Sequence, residues 1–143
     1  MQANTILDFW FKEANSQFWF KKDTQFDRVI KERFYETWLA ASRGELYTWR
    51  DNIHGRLAEI IVLDQFARNL HRESSLAFAY DNMALTLAQE ATLLREFYQL
   101  SRLEASFLLM PYMHSESAII HQQAEILFKN YGTDESYQFE LKH

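Results

Sequence analysis

The chain has no cysteine, a single proline and only three glycines among its 143 residues. Without thiols it can form neither a disulfide framework nor a thiolate metal site, so burial must hold its core, and the composition fits a reducing compartment. So few turn-forming residues exclude a turn-rich β architecture and favour helices joined by short connections. Basic runs are scarce too. Nothing exceeds the pair Lys21 and Lys22, the net charge is −5, and the electrostatic footprint of a nucleic-acid-binding protein is missing. No apolar run approaches the ~20 residues that cross a bilayer. Asp8 and Lys12 interrupt the early hydrophobic stretch where a secretion signal would lie. A His-Glu-x-x-His pattern, a glycine-rich phosphate loop and a nucleophile-elbow serine are all lacking, so no metal and no cofactor is expected. The default is a soluble cytoplasmic protein with no nucleic-acid and no membrane partner.

What the chain does have is bulk. At this length folding removes roughly 70% of the unfolded surface from water, and aromatics are 16% of residues, so large rings fill the core of a single domain over residues 1–143. Thr5 and Asp8 match a capping box ahead of Phe9, Trp10 and Phe11 and predict a short helix. The tetrad Phe9-Trp10-Phe11-Lys12 recurs as Phe18-Trp19-Phe20-Lys21. It reads as two aromatic plugs around a loop through Asn15 and Ser16, with an aromatic ligand cage as the functional alternative. Thr24 and Asp27 form a second box. Phe26, Ile30, Phe34, Trp38 and Ala41 then recur at spacings of three and four, an amphipathic helix stopped at Gly44.

The central stretch, residues 53–70, is apolar on almost every side and is predicted to be a buried helix capped by Asp51 or Asn52. Asp64 and Arg68 fall in the middle of its Leu57/Ile61 face, where a plain core helix would carry aliphatics. An acid followed four residues later by a base is the favourable order for a helix pair. On an apolar face such a pair persists only if its other polar atoms find partners, for which Gln65, Asn69 and Arg56 are the candidates. Two readings stay open: a polar network that fixes helix register, or an anion-binding or catalytic pocket with Arg68 as the fork.

Residues 69–75 read as a loop, and a helix is predicted from about Ala77. Ser101 and Glu104 form a third capping box, and Pro111 is expected to stop or kink the helix that follows. Ser115 is the expected cap of the next helix, with Glu116 in its first turn and Gly132 at its end. His114, just before that helix, titrates near neutral pH and is either an anion-site residue or the partner of a neighbouring carboxylate. His121 and Glu125, one turn apart, read as a solvent-side pair. Residues 133–143 show neither cap nor stop. The architecture drawn from these elements is all-α, six to seven antiparallel helices around the buried central one.

The segments Asp8 to Phe11, Trp19 to Asp23, Gly44 to Leu46, Gly55 to Asn69, Phe78 to Asp81 and Met110 to Glu116 together resemble, in order and over nearly the whole chain, a bacterial family known as domain of unknown function 924. The resemblance implies an all-helical, tetratricopeptide-like fold and no particular activity. Carried over position by position, the motif's polar residues are Arg56, Asp64, Gln65, Arg68, Asn69, Asp81, His114, Ser115 and Glu116. Ala67 stands where the family has proline, which should let the central helix run on. The family pattern continues past a histidine with a segment like FGRFPHRN, so the chain is expected to lack a C-terminal part of it. The function expected is a binding or scaffold module for a peptide or partner protein, with self-association a further expectation. The rival is an anion-binding or hydrolytic site around Asp64, Arg68 and His114.

Overall fold

A computed structural model of the protein describes residues 1–14 and 16–143. It is all-helical, with no strand among the described residues. Its contacts divide it into two compact units, Met1–Tyr80 and Asp81–His143.

In the first unit, α1 spans residues 3–13, α-helical over Ala3–Asp8 and widened to a π turn over Phe9–Glu13. Helix α2 is Thr24–Ser42, a 3-10 turn covers Tyr47–Asp51, and α3 spans residues 53–70. The bounds of α3 are those its apolar pattern predicts, but its middle, Val62–Phe66, is also a π turn. Helix α3 packs against α1 and α2, and the rings of all three make the core. Phe34 stacks on Phe66 at 5.1 Å, and Phe9 meets Phe34 edge-on at 4.9 Å. The two aromatic tetrads meet each other, but only Phe9 and Trp10 of the first are buried, and Phe20 of the second is 62% exposed. Trp19 stacks on Trp10 and donates its indole N–H to the Trp10 carbonyl at 3.0 Å, while Phe18 stacks on Phe26. The loop expected through Asn15 and Ser16 falls partly on Asn15, which lies outside the described residues.

Two of the expected caps sit elsewhere. Helix α1 begins at Ala3 behind Gln2, with no side-chain cap, and Thr5 is already inside its first turn. The stripe of Ile6, Phe9 and Trp10 needs a preceding turn to support it. For α2 the cap is Asp23, whose Oδ1 accepts from Phe26 N at 2.8 Å, and Asp27 is left for other partners. Asn52 does cap α3, accepting from Gly55 N at 2.8 Å. Gly44, at φ 74°, ends α2 in a Schellman arrangement: its N–H bonds Ala41 O at 3.1 Å and Glu45 N–H bonds Ala40 O at 2.9 Å.

In the second unit, α4 is Asp81–Thr92, starting four residues later than its pattern suggests, and a 3-10 turn follows over Arg95–Gln99. Then come α5 (Arg102–Leu108), α6 (Met110–Met113), α7 (Ala118–Tyr131) and α8 (Asp134–Leu141). Ser101 and Glu104 make both bonds of the predicted capping box, at 3.1 and 2.9 Å. Pro111 opens α6 within its first turn, where a missing N–H costs nothing. The buried alanines of α4, Ala84, Ala88 and Ala91, form the small-residue side of a helix that packs against α6. Helix α7 is capped by Ser117, not Ser115. The last segment is a capped helix after all: Thr133 Oγ1 accepts from Ser136 N at 3.1 Å. No described helix is long and apolar enough to cross a membrane.

Candidate functional site

Asp64 lies in the π turn of α3 and is 0% exposed. A buried carboxylate survives only where donors surround it. Gln65 Nε2 donates to its Oδ2 at 2.8 Å, and Arg68 Nη1 reaches its Oδ1 at 3.4 Å and its backbone carbonyl at 2.8 Å. The Arg68 guanidinium lies over the Phe78 ring, 5.2 Å from the centroid. The Arg68 side chain is 23% exposed and Phe78 is 59% exposed. A charge held on both sides in this way is pre-organised at the surface of the first unit.

Asn69, the next motif residue, belongs to a different cluster. Its Nδ2 donates to Asp27 Oδ1 at 2.9 Å, and Arg72 forks onto the same carboxylate with Nε at 2.7 Å and Nη2 at 2.9 Å. The hydrogen bond to Asp27 raises the Arg72 pKa, its burial opposing. Arg56 belongs to a third cluster: its Nε donates to the Arg50 carbonyl at 3.1 Å, and Arg50 forks onto Glu59, itself 0% exposed, at 2.8 and 2.7 Å. Glu59, Asp27 and Arg72 are absent from the sequence-based site. An acid at position 59 of a helix apolar all round is the signal that could have found the first.

The other motif residues are in the second unit. Asp81 opens α4, and His114 ends α6, half-buried. Ser115 Oγ accepts from Ser117 N at 3.1 Å and Glu116 is exposed. His121, further along this unit, is hydrogen-bonded through both ring nitrogens. Its Nε2 donates to the Ser115 carbonyl at 2.6 Å and its Nδ1 to the Glu140 carboxylate at 2.8 Å, so Glu140 takes the place predicted for Glu125. Only the protonated ring can donate to both partners at once. The Glu140 hydrogen bond accordingly raises the His121 pKa above the ordinary 6.5.

Because the folded pKa is the raised one, this contribution to stability is complete below pH 6.5 and disappears as pH rises through the folded value. Urea unfolding followed from pH 6 upward should show stability falling in that window, and the H121N variant should show a flatter profile. An unchanged profile in the variant would refute the charged clamp.

These features define a class first: an all-helical protein whose central helix carries buried carboxylates, Glu59 and Asp64, each held by an arginine that stays partly exposed. The chain belongs to the bacterial family described as "Bacterial protein of unknown function (DUF924)", whose profile matches residues 6–143. It is similar to a solved structure from Agrobacterium tumefaciens, the protein of unknown function ATU0120, with 33% sequence identity and a TM-score of 0.92. That match covers 99% of this chain and 79% of the other. No curated protein matches.

Proposed function

We propose that the chain is a binding module that takes a carboxylate of an acidic peptide segment on the Arg68–Phe78 platform. One observation carries this reading: the Arg68 guanidinium is anchored at 2.8 Å to the Asp64 carbonyl and stacked on an exposed ring, yet reaches solvent. A pre-organised fork loses less side-chain entropy on binding than a mobile one. Asp64 is too enclosed to meet a substrate, which favours a positioning role for it over a catalytic one.

The test is calorimetric titration with a glutamate-rich peptide at low salt. Replacing Arg68 with Met removes the charged donor from the buried Asp64 carboxylate, so the D64N/R68M variant is measured beside R68M to separate lost binding from lost folding. Both should bind at least tenfold more weakly, a change of about 1.4 kcal/mol. The variant R68K keeps the charge without the fork and should fall between. Equal binding by wild type and both methionine variants would sink the proposal, as would no heat with the wild type at millimolar peptide.

A further inference from the structure

The first unit also holds a cleft of about 610 Å³ that shares only Asn69 with the motif's polar residues. One wall is a stripe of α2, Thr24, Asp27, Arg28 and Lys31, spaced three and four apart as one helix face requires. The end of α3, at Asn69 and Leu70, forms the other. Arg68 does not line it. The charges in this cleft are unevenly matched. Asp27 is already engaged at both oxygens by Arg72 and Asn69. Arg28 and Lys31 have no ion pair or hydrogen bond to any described residue, and neither has Glu32, which also lines the cleft. The unmatched charges therefore sum to one net positive, with one acidic acceptor beside two cations. Asn69 adds a fixed polar atom. Only 9% exposed, it spends its amide nitrogen on Asp27, while its side-chain oxygen accepts from no described residue.

We infer that this cleft binds a small oxyanion that also carries a hydroxyl group, of the hydroxycarboxylate or polyol-phosphate class. The oxyanion meets Arg28 and Lys31, neither of which is held in an ion pair with a described residue and which together outnumber Glu32. The hydroxyl donates to the Asn69 oxygen or to Glu32, the two acceptors left open. A bare anion would satisfy the cations but leave both acceptors facing it, so the second group is part of the recognition.

Amide chemical shifts of the whole chain, followed at constant ionic strength, test this with four probes: malate, succinate, glycerol 3-phosphate and sodium chloride. Malate or glycerol 3-phosphate should give saturable shifts confined to residues 24–32 and 69–70, and whichever binds more tightly identifies carboxylate or phosphate as the source. Malate should bind at least tenfold more tightly than succinate, which lacks the hydroxyl. The R28Q/K31Q variant should weaken binding at least tenfold while keeping its thermal midpoint and its Arg68-dependent affinity for the glutamate-rich peptide. Shifts no larger than those from chloride would overturn the site. Undiminished binding by R28Q/K31Q would do the same, and equal binding of malate and succinate would overturn the hydroxyl.

Discussion

Replacing Gly55 with Ala should lower the unfolding free energy by about 3 kcal/mol, the upper end of what an overpacked methyl costs. Gly55 lies in the first turn of α3, directly beneath the 3-10 turn that precedes it. A Cβ there would sit 2.8 Å from the Trp49 carbonyl carbon and closer still to its oxygen. Both atoms are backbone, so no side-chain rotation relieves the clash, and residues 47–51 would have to lift from the helix. The sign is the diagnostic part. In an exposed helix the same change stabilises by about 1 kcal/mol, so urea unfolding of G55A separates the two cases directly. A neutral or stabilising result would mean that the turn yields freely and that the close approach has no structural weight.

The second large effect belongs to Arg50 and Glu59. Breaking a buried ion pair by removing one partner costs about 3–5 kcal/mol, whereas replacing both by apolar groups is often near neutral. R50M leaves a fully buried carboxylate without its fork and should cost about 3 kcal/mol, toward the lower end of that range because Arg50 itself is partly exposed. R50M/E59L should recover more than half of the loss. A double-mutant cycle from denaturant unfolding measures this coupling. Strict additivity of the two single changes would show that the pair is not a unit.

Both predictions concern places where local pattern and long-range packing meet, and there the sequence is legible only in part. The ends of α3 could be read, because an apolar period and a capping Asn52 are properties of adjacent residues. The π turn at Val62–Phe66 could not. Phe66, at its end, packs against the rings of Phe9, Trp10 and Phe34, contacts that no local spacing records. The same limit applies to partners. That Asp64 needs donors follows from its apolar face, and Arg68 and Gln65 were near enough to name. That Asp27 serves Arg72, 45 residues away, or that His121 serves Glu140, 19 residues away, is set by helix packing. Ser115 and Ser117 illustrate a finer failure. Either can cap a helix beginning near Glu116, and the helix-dipole argument favours the wrong one, because the Ser115 carbonyl is held by His121.

That clamp has a counterpart in the first unit. His71 closes α3 against the Trp38 indole, with ring centroids 4.3 Å apart, and its buried Nε2 has no hydrogen-bond partner among the described residues. Burial lowers its pKa below the ordinary 6.5, the opposite of His121. Unfolding therefore takes up a proton at His71 below pH 6.5 and releases one at His121 above it. The two effects fall on opposite sides of that value, His71 costing stability toward acid and His121 losing its contribution toward alkali, so together the two histidines centre their stabilisation near pH 6.5.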